Sequence, residues 1–149
     1  MYVKVITVGG KSDPAITQLI DDYTKRLPRT VDLTWQFIKH GQGSDPDSSM
    51  QREAESILKA IPVGYKTILL DETGKQLTSP QLSQRVFDGS NWVIIIGGAY
   101  GVADAIQQQA DFVWSLSDLV FPHQIVRLIL AEQIYRAHTI SIGHPYHHS

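Results

Sequence analysis

The sequence predicts an α/β fold, a mainly parallel sheet with helices on both faces. Three observations predict it. Short strand-like segments recur along the 149 residues, each followed by a stretch with helical spacing. Strands alternating with helices are the pattern of βαβ units. The segment Trp92–Ile96 (WVIII) is continuously apolar, as expected of a strand buried on both faces of a parallel sheet. The length suits one domain, and no repeat or linker divides it, so residues 1–149 read as a single domain.

Each element follows from local chemistry. Tyr2–Val8 (YVKVITV) is β-rich and ends at Gly9-Gly10. Asp13-Pro14 is an N-cap with proline at the first helical position. Ile16, Leu19, Ile20, Tyr23 and Leu27 then repeat at helical spacing, giving a helix over Pro14–Leu27 that Pro28 closes. Val31–Ile38 alternates apolar and polar residues and reads as a half-buried strand. His40–Ser49 is a polar loop, Met50–Ile61 a helix, and Lys66–Leu70 a short strand ending in the turn Asp71–Gly74. Ser79-Pro80 starts a helix to about Asp88. After Trp92–Ile96 come the loop GGAYG, a helix over Val102–Gln109 and a strand over Phe112–Leu116. The loop SDLVFP leads into a long helix, Pro122–Thr139, and the tail is SIGHPYHHS.

That last helix is apolar nearly all round. Only Gln124, Arg127, Glu132, Gln133 and Arg136 interrupt it. Such a helix is buried on more than one side. One side faces the sheet. The other is covered either within the monomer or by a second subunit, and a homodimer is the economical expectation.

Composition narrows the function classes. There is no cysteine, which excludes disulfides, thiolate catalysis and cysteine-held metals. No apolar run approaches the roughly 18 residues needed to span a bilayer. The start, MYVKVITV, lacks the features of a signal peptide, so a cytoplasmic protein is expected. The net charge is −2, from 13 Lys and Arg against 15 Asp and Glu, so bulk charge announces no nucleic-acid binder. The distribution is uneven, however. Val86–Val126 carries no Lys or Arg, while five of the six histidines lie between His123 and His148.

Several groups are candidates for chemistry. Gly97-Gly98-Ala99-Tyr100-Gly101 follows a buried strand, where backbone can approach a ligand or simply turn tightly. Its pattern is G-G-x-x-G rather than G-x-G-x-x-G, which argues against a dinucleotide site. Gly9-Gly10-Lys11-Ser12 lacks the first glycine of a phosphate loop. His144, His147 and His148 could hold a metal only if a flexible tail fixed their geometry. Arg136 lies one turn after Glu132. Either it forms an ordinary helix ion pair, or it aims a guanidinium at a phosphate or base. His123, at the start of the last helix, is as well suited to packing or capping as to catalysis.

Longer strings carry more. WVIIIGGAYG, SLSDLVFPHQIVRLILAEQIYRA and GHPYHH resemble the RlmH family, SPOUT-class methyltransferases of large-subunit ribosomal RNA. The resemblance spans essentially the whole chain, including the V-G-G-K end of the first strand, DDYTKRL in the first helix and the L-D-x-x-G-K turn from Leu70 to Lys75. It implies an α/β domain whose C-terminal part is tied in a deep trefoil knot, a feature no pattern above reveals. It implies a homodimer, S-adenosylmethionine as cofactor, and a pocket of Leu70, Gly97, Gly98, Ser117, Asp118, Leu119, Val120, Phe121 and Pro122. One subunit's cofactor would face the other's tail. The implied reaction is methylation of N3 of a pseudouridine in 23S rRNA on the assembled ribosome, with no metal and no membrane. By the same resemblance Arg136 stabilises an anion or positions a phosphate, and Tyr146 and His147 orient the substrate, His147 being a candidate base. The chain departs from relatives at Ala99 and Tyr100, which line the pocket, and at the final HHS, which adds little fixed positive charge. A related enzyme acting on tRNA and a non-catalytic ribosome-binding protein are the alternatives.

Overall fold

A computed structural model describes residues 1–148. The chain runs β1 (Tyr2–Val8), α1 (Pro14–Arg26), β2 (Asp32–Ile38), α2 (Pro46–Ala60), β3 (Lys66–Gln76), α3 (Ser79–Val86), β4 (Trp92–Ile96), α4 (Asp104–Gln109), β5 (Phe112–Ser115) and α5 (His123–Ser141). The five strands form one sheet in the order β2-β1-β4-β3-β5. Every pairing is parallel. The continuously apolar Trp92–Ile96 is indeed central and wholly buried.

The two sheet faces carry separate cores. On one, Leu82 and Val86 of α3 and Leu130, Ile134 and Ala137 of α5 pack on Val3, Val5, Ile68, Ile94 and Ile96. On the other, Ala54 and Ile57 of α2 and Ile106 of α4 pack on Ile6, Val8, Leu69, Val93 and Ile95. Alternate strand residues thus serve opposite layers, as the pleat requires.

The structure moves several boundaries. Helix α2 begins at Pro46 rather than Met50, because Asp45 accepts from the Ser48 amide at 2.7 Å and Pro46 takes the first helical position. The polar loop is correspondingly shorter. Helix α3 is capped by Thr78 in a reciprocal capping box with Gln81, and stops at Val86 rather than near Asp88. Helix α4 starts at Asp104, not Val102, with Ala103 as a cap that offers no side-chain acceptor. The largest change is β3. It does not stop at Leu70: the chain swings out over Asp71–Gly74 and pairs with β5 again, so Trp114 faces both Leu70 and Lys75. The turn-forming residues made this strand look finished, whereas they form a bulge within it.

Candidate functional site

The bulge of β3 and the carboxyl ends of β4 and β5 open into a cleft of about 730 Å³. This is where open α/β sheets bind ligands, and the volume suits a nucleoside-sized molecule. Leu70, Ile96, Trp114 and Val126 supply apolar lining, while Asp71, Glu72 and Asp118 supply carboxylates. Of the pocket residues expected from the sequence, Leu70, Gly97, Gly98, Ser117, Asp118, Leu119, Val120 and Phe121 line the cleft. Pro122 caps α5 just outside this lining.

The glycine loop is both a turn and a wall of the cleft. The Gly101 amide donates to the Gly98 carbonyl at 3.0 Å, closing the turn over Ala99 and Tyr100. A side chain on Gly98 would come within 2.9 Å of Glu53 Oε1. The requirement for glycine there comes from this buried carboxylate of α2. Glu53 Oε2 also accepts from the Gly41 amide at 2.8 Å, so one side chain ties the loop after β2 to the glycine loop. The second half of the cleft wall is shaped by the Ser117 hydroxyl, which accepts from the Leu119 amide at 3.0 Å. Leu119 and Val120 stand 71% and 88% exposed at the rim, with Ile125 at 38% in the first turn of α5.

Arg136, Tyr146 and His147 lie together, but not in this cleft. Gly143, at φ 70°, reverses the chain after α5, and the His144 amide donates to the Thr139 carbonyl at 2.9 Å. The Tyr146 amide donates to His144 Nδ1 at 3.2 Å, tightening the turn. Up to His147 the tail therefore folds back on its own helix. Glu132 is the hub. It accepts hydrogen bonds from Arg136 Nε at 2.9 Å, from the Tyr146 hydroxyl at 3.1 Å and from Gln133 Nε2 at 2.6 Å, and pairs with Arg136 Nη2 at 2.6 Å. Arg136 Nη1 donates to His147 Nδ1 at 3.2 Å, and its guanidinium lies 4.8 Å from the Tyr146 ring centre. The Glu132 contact holds Arg136 above its ordinary pKa. Burial, with Tyr23 and Glu132 beside it, pushes the Tyr146 hydroxyl up to about 12. Tyr146 is thus a hydrogen-bond donor at neutral pH and not a base.

The i,i+4 ion pair read from the sequence and the functional reading of Arg136 therefore describe one cluster. Sequence reasoning missed Tyr135 and Tyr23, which extend it: Tyr146 meets the edge of Tyr135 at 4.8 Å, and Tyr135 lies 6.1 Å from Tyr23 of α1. Their helical spacing marked only burial. It also missed Glu53, whose interior position nothing in a polar helix pattern signals.

The family described as "Predicted SPOUT methyltransferase" matches residues 1–147. The chain belongs to this SPOUT methyltransferase family. Among curated relatives, a protein of Geobacter metallireducens named ribosomal RNA large subunit methyltransferase H is 43% identical over all of both chains. Proteins of the same name from Hahella chejuensis and Gloeobacter violaceus are 40% and 35% identical, each over 99% of both chains. The α/β fold and the methyltransferase assignment of the sequence reading both stand.

Proposed function

We propose that this chain is a homodimeric, S-adenosylmethionine-dependent methyltransferase of large-subunit ribosomal RNA, acting on N3 of a pseudouridine in the assembled ribosome. It works in the cytoplasm as a single domain of 149 residues. The observation that carries this reading is the match along the full chain to proteins named for methylation of that RNA. The cleft fits the cofactor by its own chemistry. Its apolar floor suits an adenine, its turn backbone offers amides and carbonyls, and Asp71, Glu72 and Asp118 suit a cationic sulfonium and ammonium. When bound, the cofactor supplies an electrophilic methyl group. Leu70, Gly97, Gly98 and Ser117 to Phe121 would hold and orient it, with Pro122 fixing the start of α5 beside them.

The proposed dimer is supported by where the two halves of the site lie. His123, in the cleft wall, and Arg136 sit on the same rigid helix, about 20 Å apart at 1.5 Å per residue. One copy cannot bring them together. A two-fold partner can set its tail against the cleft, covering the exposed Leu119, Val120 and Ile125. The trefoil knot is proposed from the family match alone, and Arg127 fixes where α5 sits. That side chain is buried and bonded to Val8 O, Gly10 O, Ser12 Oγ and Thr7 Oγ1 at 2.8–3.3 Å, which draws α5 deep against the end of β1.

The tail then has defined roles. N3 gives up its proton to His147 Nδ1 once that nitrogen is released from Arg136, and Arg136 stabilises the anion that remains. Arginine only donates, so His147 Nδ1 is the acceptor of their bond, and a neutral ring carries its proton on Nε2. His147 thereby presents a donor to a uracil-type carbonyl. It becomes a base only on releasing Arg136. Tyr146 donates a hydrogen bond to Glu132 and offers its ring as a surface for the base. Pre-alignment of N3 with the methyl group is the main catalytic contribution.

The test is incubation with radiolabelled S-adenosylmethionine and ribosomes from a strain lacking the modification, with tRNA in parallel. Label recovered as 3-methylpseudouridine from large-subunit RNA, and lost with Arg136→Ala, is the expected result. Label on tRNA alone overturns the substrate, and label unaffected by Arg136→Ala removes that residue's role.

A further inference from the structure

Two arginines flank the tyrosine cluster, and they differ in one respect. The charge of Arg136 is committed inward to Glu132. Arg26, in the last turn of α1, lies 5.1 Å from the Tyr23 ring centre and 5.8 Å from that of Tyr135. Among the described residues it makes no ion pair and no side-chain hydrogen bond. Asp22, four residues earlier on the helix, is not within ion-pair distance. Arg26 is exposed, whereas both tyrosines beneath it are half-buried. A guanidinium resting on aromatic rings is held in place while its N–H groups stay free. Tyr135 in turn touches Tyr146, so the ladder Arg26–Tyr23–Tyr135–Tyr146 leads from an unneutralised cation to the substrate-facing tail.

We propose that Arg26 is an RNA-backbone contact. It grips a phosphate flanking the target nucleotide and so sets how the strand enters the site formed by Arg136, Tyr146 and His147. This rests on the RNA methyltransferase reading above. RNA is the occupant the chemistry favours. A chain of net charge −2 cannot gather a polyanion by bulk field, so it must rely on individually placed cations left unpaired. An arginine pre-positioned on aromatic rings is such a group.

The experiment measures steady-state methylation of unmodified ribosomes across a salt series, for wild type, Arg26→Ala, Arg26→Lys and Lys25→Ala. Lys25 is the control, since it lines a different groove of α1 with Asp21 and Asp22. Arg26→Ala is expected to lower kcat/KM about tenfold, through KM, as loss of one charge-assisted contact does. Its log–log salt slope should be shallower by about 1. S-adenosylmethionine affinity should not move. Arg26→Lys should keep the wild-type slope and recover part of the loss, and Lys25→Ala should match wild type. A wild-type KM and slope in Arg26→Ala overturn the proposal. So does a loss with an unchanged slope, which marks a packing role, or an equal loss in Lys25→Ala, which marks bulk charge. If wild type itself labels no ribosomal RNA, the underlying reading falls and this proposal with it.

Discussion

The two ends of α5 are built on opposite principles. At its start the cleft is made mostly of backbone and short side chains: a glycine turn, the loop from Ser117 to Phe121, and strand ends. At its far end the tail cluster is made of long charged and aromatic side chains that satisfy one another, with three hydrogen bonds and an ion pair converging on Glu132. The first is an open receptacle whose shape is set by the sheet. The second is a closed network whose shape is set by a single carboxylate. A receptacle can wait for a ligand at little cost, whereas charged groups held half-buried need internal partners until the substrate arrives. The helix between them is too rigid to join the two, which is why the proposed site draws its second half from another copy.

The most severe way to break this comparison is to disable each end separately. Gly98→Val forces the glycine loop away from Glu53 and should abolish activity by closing the cleft. Arg136→Ala should abolish it from the other end. Mixed at equal amounts and allowed to exchange subunits, the two inactive proteins should recover about a quarter of wild-type activity, since half the dimers then hold one intact composite site. Absence of recovery, with exchange verified by mass, would place both halves in one copy. Short of abolition, Glu132→Gln tests the hub. It keeps the shape and removes the charge, and should lower kcat by about 10- to 100-fold as the guanidinium and the Tyr146 hydroxyl lose their anchor. A change confined to the KM for S-adenosylmethionine would instead assign Glu132 to the cleft.

Legibility in the sequence follows the same division. Strands and helices were readable because their periodicity is local. Trp92–Ile96, the Asp13-Pro14 start and the Gly97–Gly101 turn are each decided by neighbours within a few residues. The return of β3 to β5 was not readable, because Asp71–Gly74 has the composition of a turn and only the tertiary partner makes it a bulge. Arg136 next to Glu132 was visible as an ion pair. That Tyr146 joins the same carboxylate depends on the chain reversal at Gly143, and Tyr23 arrives from the other end of the chain. Periodicity records only that such side chains are inside.

Arg127 sharpens the contrast at the cleft end. It is the one long cationic side chain of α5 that is buried, and its acceptors are all neutral oxygens. Arg127→Met keeps much of the length but strands the Val8 and Gly10 carbonyls. It should cost about 2–4 kcal/mol in urea denaturation, by the usual penalty for buried unsatisfied groups. A cost under about 1 kcal/mol would mean that α5 is held at its start by packing alone.

The smallest effect separates the ends by pH. Burial pushes His123 below its ordinary pKa, with Arg127 and His40 adding to it. Burial likewise pushes down His138, beside Phe87 and near His144. In both cases the folded pKa lies below the unfolded value of about 6.5. The unfolded chain therefore binds protons first as pH falls. The stabilisation is complete above about pH 6.5 and is lost as pH drops through the folded values. Melting temperature should fall modestly between about pH 7.5 and about pH 5.5. His138→Gln should flatten that fall in part while leaving cofactor affinity alone, because its ring packs on Phe87, away from the cleft. His123→Gln should flatten the remainder and also shift cofactor affinity, because its ring lines the cleft. Identical pH profiles for wild type and His138→Gln would show that the tail end carries no proton-linked stability, leaving all of it at the cleft.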